Sequence, residues 1–222
     1  MDYIFLSKTN LFRGTSAEEM KAMLHCLNAE KKSYSKNEVI YQAGNTVTSL
    51  GMVLSGSAFI ENDDLWGNKS VLDLILPGQV FGETYASLPG EPLMFHVVAS
   101  EATEVLFLNV NRLIKVCPNS CEHHSKLIQN LLCIFAQKNL NLTRRSLHTA
   151  PKSIRSRLLS YLSAQAIRQG RRDFVIPFNR QQLADYLNVD RSALSNELSK
   201  MQRDGLIQVE KNHFRLLKDE MY

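Results

Sequence analysis

The sequence is poor in cysteine, in long apolar stretches and in catalytic signatures, and each shortage narrows its function. Only four cysteines occur in 222 residues, at Cys26, Cys117, Cys121 and Cys133. They are too few and too clustered for a disulfide framework, which leaves redox or metal chemistry as the uses open to them. No apolar run approaches the ~20 residues needed to cross a bilayer. The opening Met1-Asp2-Tyr3 lacks the basic, apolar and small-residue regions of a signal peptide, so a cytoplasmic protein is expected. There is no Gly-rich phosphate loop, nucleophile elbow or metalloprotease helix. No His-x-His with a downstream Glu lies between Val39 and Val110 to make a cupin-type metal centre. The sequence therefore predicts no enzyme, no catalytic residues and no metal site.

What is present describes a globular chain. It is 44% hydrophobic and 22% charged, enough apolar material for one or two cores. The formal charge of +4 is unevenly placed: residues 149–222 carry 13 Lys and Arg against 8 Asp and Glu, a net of +5, and residues 1–148 carry 13 against 14, a net of −1. A basic C-terminal third is the electrostatic footprint of nucleic-acid binding, although a lysine-rich solvated face would look the same.

The chain reads as three zones. Ser16 and Glu19 have capping-box spacing ahead of Met20, Met23, Leu24 and Leu27, which predicts a short amphipathic helix. Residues 38–109 contain short β-rich runs separated by seven of the ten glycines, the pattern of an antiparallel sandwich or β-roll. Pro118 then suits a helix start, and about 30 residues follow without Gly or Pro. Ile128, Leu131, Phe135 and Leu142 form a heptad-like seam, and Leu127, Leu132 and Ile134 widen the apolar face. Such a helix has two surfaces to bury, which suits one on the β-roll and one on a twin helix in a dimer, or else a helix buried on both sides within a monomer. Thr149-Ala150-Pro151 ends it, with a new helix expected from Lys152. The expected domains are a β-roll over 1–116, a long helix and hinge over 117–148 and a basic domain over 149–222, in an α+β fold.

The strongest motif runs from Asn179 to Leu198. Asn179 caps a helix with Gln182 three residues on, and Leu183, Ala184 and Leu187 supply its buried stripe. A turn at Asn188-Val189 precedes Asp190, which caps a second helix whose Leu194, Leu198 and Met201 point inward. Arg191, Ser192, Ser195, Asn196 and Ser199 are left on its outward face. Gly205 closes this helix, and residues 207–216 read as two strands around a polar turn. The pattern is a winged helix-turn-helix.

This segment resembles the DNA-binding domain of the CRP/FNR family, that of the cyclic-AMP receptor protein and the fumarate-nitrate regulators. The resemblance extends along nearly the whole chain. Gly56, the string Leu76-Pro77-Gly78-Gln79-Val80-Phe81-Gly82-Glu83, the helix after Pro118 and the winged domain occur in family order. Taken alone, that string would be only a turn followed by an exposed glutamate.

The resemblance implies a homodimeric transcription regulator on a double-stranded DNA operator with inverted-repeat half-sites, with RNA polymerase as a further partner. It places Arg191, Ser192, Ser195 and Asn196 at the base-reading positions, where relatives often carry Glu in place of Ser192 and Arg in place of Asn196. Asn196 suits a bidentate pair with adenine and Arg191 a guanine or a phosphate. Arg180, Lys200, Arg203 and Lys211 fall to the phosphates. The effector pocket is expected at Gly82, Glu83, Thr84, Leu93 and Met94. Members that bind cyclic AMP hold its phosphate with an Arg-Ser pair about ten residues after Gly-Glu, and here that pair is Leu93-Met94. A phosphate there would lose charge-assisted hydrogen bonds, so cyclic AMP is disfavoured and an apolar or aromatic effector, or none, is favoured. No cofactor is implied. The cysteine pattern of iron–sulfur relatives is absent, and Cys117 and Cys121 at a helix start, with Cys133 beyond them, leave a thiol switch open. His96, His123 and His124 read as surface polar groups. A nucleotide-binding-like interaction module without operator binding is the competing class.

Overall fold

In the computed structural model, residues 1–63, 69–114 and 122–217 are described. They divide into two units, Met1–Ala136 and Gln137–Tyr222.

The first unit opens with α1 (Tyr3–Ser7), capped by Asp2, and α2 (Ala17–Cys26). Ser16 and Glu19 make the reciprocal capping box that their spacing predicts, and Met20, Met23 and Leu24 are buried. Eight strands follow: β1 (Glu30–Tyr34), β2 (Val39–Tyr41), β3 (Ser49–Ser55), β4 (Ala58–Asp63), β5 (Lys69–Ile75), β6 (Val80–Phe81), β7 (His96–Ala99) and β8 (Thr103–Asn109). A short helix, α3 (Glu83–Ser87), sits between β6 and β7. Another, α4 (Val110–Ile114), follows β8. The strands form two antiparallel sheets in the orders β1-β8-β3-β6 and β2-β7-β4-β5, the expected β-roll.

Strand β8 explains the layering. Its alternate residues Val105 and Phe107 join Ile40, Val53, Phe81 and Val97 in the interior of the roll. Leu106 and Leu108 face the other way, into a second core with Leu6, Phe12, Met23 and Leu127. A strand buried on both faces reads as a continuous apolar run, and each fully buried Leu contributes about 1.5–3 kcal/mol. Gly51 is needed here because a Cβ on it would lie 2.2 Å from Cζ of Phe81. Strand β1, by contrast, was not anticipated. Its sequence Glu-Lys-Lys-Ser-Tyr is almost wholly polar, and it forms an edge strand beside β8 whose charges blunt further pairing.

Helix α5 (Glu122–Thr149) crosses the division between the units. Its expected start at Pro118 lies outside the described residues, as do Cys117 and Cys121. The expected seam splits between two faces: Leu127 and Leu131 are buried in the first unit, whereas Ile128, Leu132, Leu140, Leu142 and Leu147 are exposed. No helix among the described residues is long and apolar enough to cross a membrane.

The second unit contains α6 (Ile154–Gln169), β9 (Asp173–Val175), α7 (Arg180–Leu187), α8 (Arg191–Arg203), β10 (Ile207–Glu210) and β11 (His213–Leu216). The strands form an antiparallel sheet in the order β10-β11-β9. Helix α6 begins at Ile154 and not at Lys152, because Ser153 takes the cap position and accepts from the Ser156 amide. Leu158, Leu162, Phe174, Leu183, Leu187, Leu194, Leu198 and Phe214 make one core. Arg157 fixes the turn between α7 and α8 by donating to the carbonyls of Leu187 and Asn188 at 3.1 and 3.0 Å. The last turns of α5 are tied to α7: Arg145 donates to the carbonyls of Asp185 and Tyr186 at 3.0 and 3.2 Å, and His148 Nδ1 meets the Tyr186 hydroxyl at 2.9 Å.

Candidate nucleic-acid interface

Helix α7 starts at a complete capping box between Asn179 and Gln182 and ends at Asn188, which takes the left-handed conformation (φ 53°) that redirects the chain. Asp190 then caps α8, accepting from the Ala193 amide at 2.8 Å and the Ser192 hydroxyl at 2.5 Å. Those hydrogen bonds hold the Asp190 carboxyl below the usual carboxylate range. Leu194, Leu198 and Met201 are buried. On the side facing α6, Arg155 bridges Glu197 at 2.6 Å and Asp204 at 2.7 Å, so the roll of α8 about its axis is set by both core and ion pairs.

The outward face carries Arg191, Ser192, Asn196, Ser199, Lys200 and Arg203, all exposed, with Ser195 half-buried. Their hydrogen bonding separates them. Ser192 donates to Asp190, Ser195 to the Arg191 carbonyl at 2.9 Å and Ser199 to the Ser195 carbonyl at 3.0 Å. Among the described residues, the side chains of Arg191 and Asn196 have no partner. Lys200 is 4.0 Å from Glu197 and otherwise open. Lys211 sits at the exposed turn between β10 and β11 with φ 53°. That turn is fastened by Asn212, whose side chain donates to the Ile176 carbonyl and whose own carbonyl accepts from the Ile176 amide. Arg180 differs from the other cations: its guanidinium lies 5.5 Å over the Phe214 ring, and burial lowers its pKa.

The other predicted residues belong to the first unit. Gly82 adopts φ 70° at the start of α3, where a Cβ would lie 2.8 Å from the Tyr41 ring. Glu83 is buried, 3% exposed, and is not the exposed residue that its turn context suggests. A left-handed residue immediately before it redirects the chain inward. Thr84 is exposed. Leu93 is buried, with its backbone bonded to Asn45 and Gly44, whereas Met94 is 74% exposed. The two halves of this region are joined by an edge-on contact between Tyr85 and Phe95 with ring centroids 5.3 Å apart. His96 is also not a surface group: its side chain is 17% exposed and its Nδ1 accepts from the Ala43 amide.

Sequence reasoning missed a cleft of about 290 Å³ beside β1, bordered by Tyr34, Tyr41, Phe107, Ile40 and Val47, with Lys32 at its rim. The only sequence signal was the alternation Glu30-Lys32-Tyr34, which puts those side chains on one face of the strand. Among the described residues no group of three or more His, Cys, Asp or Glu is placed to hold a metal.

Two family models match the chain, the cyclic nucleotide-binding domain over residues 31–120 and the Crp-like helix-turn-helix domain over 156–220. The chain belongs to the CRP/FNR family. It is a CRP/FNR-type transcription regulator by that membership. It is 22% identical over 186 residues to the transcriptional activator protein FnrL of Cereibacter sphaeroides, covering 81% of this chain and 73% of that one. The fold is similar to the crystal structure of the Thermus thermophilus catabolite activator protein, with a TM-score of 0.53 and 23% identity over 94% of this chain and 93% of that one. It is also similar to CprK, solved in complex with OCPA, with a TM-score of 0.63 and 15% identity over 90% of each chain.

Proposed function

We propose that this CRP/FNR regulator binds an inverted-repeat operator as a homodimer and is controlled by a small-molecule or redox effector other than cyclic AMP. The observation that carries the DNA-reading half is the face of α8, where Arg191 and Asn196 have no partner among the described residues while helix caps and core hold the helix in place. Free Asn and Arg side chains on a helix are the groups that make bidentate pairs with adenine and guanine edges. Ser192 and Ser195 stand at base-reading positions with their hydroxyl protons already given to the protein, which leaves them acceptor roles. Lys200, Arg203 and Lys211 serve the phosphates, and Arg180 does so from its seat on Phe214. RNA polymerase is the further partner.

The dimer rests on α5, whose exposed Ile128, Leu132, Leu140 and Leu142 would be covered by the same helix of a second copy. Two recognition helices would then enter major grooves about 34–36 Å apart. The effector is placed against Gly82, Glu83, Thr84, Leu93 and Met94. A buried Leu93 and an exposed Met94 offer no cation to a cyclic phosphate. Cys133 is exposed on α5 and is more open to oxidants than half-buried Cys26. Sedimentation of the full chain, paired with anisotropy titrations on labelled duplexes, tests the reading. A dimer whose affinity for a selected operator exceeds that for random DNA by at least about a thousandfold supports it. A monomer with equal affinities contradicts it.

A further inference from the structure

We propose that the cleft beside β1 is a binding site for a small planar aromatic carboxylate, with the ring held among Tyr34, Tyr41 and Phe107 and the carboxylate on Lys32. The inference rests on the reading of the first unit as the sensing unit, and it assigns a site that the Gly82–Met94 region does not include.

The walls carry the aromatic half of the argument. Tyr41 and Phe107 have ring centroids 5.6 Å apart at 47°, and Tyr34 and Phe107 6.4 Å apart at 71°. Phe107 is only 8% exposed and forms the floor, so the half-buried rings of Tyr34 and Tyr41 supply the aromatic surface open to a guest ring of one or two cycles. The volume of about 290 Å³ is at the small end of ligand pockets.

The rim carries the anionic half. Lys32 Nζ lies 5.7 Å over the Phe107 ring and 3.2 Å from Glu30, with both side chains about half exposed. A cation already occupies that ring face, so a second one would be repelled, whereas an anion can exchange with Glu30. The remaining polar groups include hydroxyls able to donate. The hydroxyls of Tyr34, Thr46 and Thr48 make no hydrogen bond among the described residues. Burial, together with Glu38 and Glu30, raises the Tyr34 pKa, so its hydroxyl keeps its proton to donate. Tyr41 is spent, since its hydroxyl donates to the Ser49 carbonyl at 2.6 Å. Of the acidic groups nearby, Glu38 accepts from the Ser35 amide and Glu30 is paired to Lys32.

The site is also connected. The Tyr41 ring that borders the cleft touches Gly82, where a Cβ would meet it at 2.8 Å. Gly82 begins α3, and α3 lies against α4 and β3. A guest that moves Tyr41 moves the backbone ahead of buried Glu83.

Calorimetric titration of the full chain with indole-3-acetate, and with tryptamine as its cationic counterpart, tests the site. One acid per chain is expected, with a Kd of about 0.1–1 mM and no saturable binding of tryptamine. Lys32→Met should weaken the acid about tenfold, Tyr34→Phe about threefold, and Glu30→Gln should tighten it about threefold by freeing Lys32. All three positions are on the rim or half-buried, so the variants keep the fold. No saturation by about 10 mM, equal binding of tryptamine, or indifference to Lys32→Met overturns the site. Anisotropy on operator DNA with and without saturating acid separates the site from its use. Binding with the expected variant pattern but no change in DNA affinity would overturn control through this cleft. Absent acid binding with intact operator affinity would overturn the cleft alone.

Discussion

The two units treat their polar side chains in opposite ways. On α8 the cap, the ion pairs from Arg155 and the helix's own carbonyls engage most polar side chains, and among the described residues Arg191 and Asn196 are left without partners. In the β-roll, Glu83 is withdrawn to 3% exposure, and the open polar groups lie instead around Tyr34 and Lys32 on an edge strand. A reader of DNA presents its donors and acceptors in advance on one element. A sensor gathers them from positions far apart in the chain, and the comparison predicts that the two units respond to different perturbations.

The largest effects separate the cores. Leu194→Ala removes a fully buried side chain from the second unit and is expected to destabilise it by about 2–5 kcal/mol, measured by denaturant unfolding. Gly51→Ala forces a methyl group into the Phe81 ring and should cost the β-roll about 1–3 kcal/mol. A loss confined to the unfolding of the altered unit sharpens the comparison, and one merged transition for both variants breaks it.

The next effects separate groups on α8. Asn196→Ala should weaken operator binding by about 1–3 kcal/mol and leave random DNA nearly unchanged. Ser195→Ala, whose hydroxyl proton is given to the Arg191 carbonyl, should change operator affinity by less than about 0.5 kcal/mol. Lys200→Ala should lower affinity for both DNAs and reduce the salt slope by about one.

The smallest effect is a pH dependence confined to the second unit. Burial lowers the His148 pKa in the folded state, so the unfolded chain binds the proton more readily. Stability should therefore fall as pH drops below about 6.5, the ordinary histidine value, and be unaffected above it. Thermal unfolding of His148→Phe between about pH 8 and about pH 5 should be flatter than that of the parent.

How much was legible follows from how local each signal is. Asn179 with Gln182, Asp190 with Leu194 and Leu198, and Ser16 with Glu19 are separated by three to eight residues, and caps and stripes of that length are written in the chain itself. The double-faced strand at Val105–Leu108 was visible as an apolar run. Strand β1 was not, since an edge strand needs no apolar side chains. Burial of Glu83 depends on the left-handed turn at Gly82, and the cleft depends on residues 34, 41 and 107 meeting through sheet register. The contacts of Arg145 and Arg157 to carbonyls about 30–40 residues away are equally non-local. Their sequence trace is an arginine like any other.

Selection of the full-length protein on a randomised duplex pool, repeated with Asn196→Ala, tests the central claim most directly. The account predicts an inverted repeat with half-site centres about one helical turn apart and loss of preference at one adenine position per half-site in the variant. Enrichment of no motif, or the same motif with the same strength for both proteins, would contradict it.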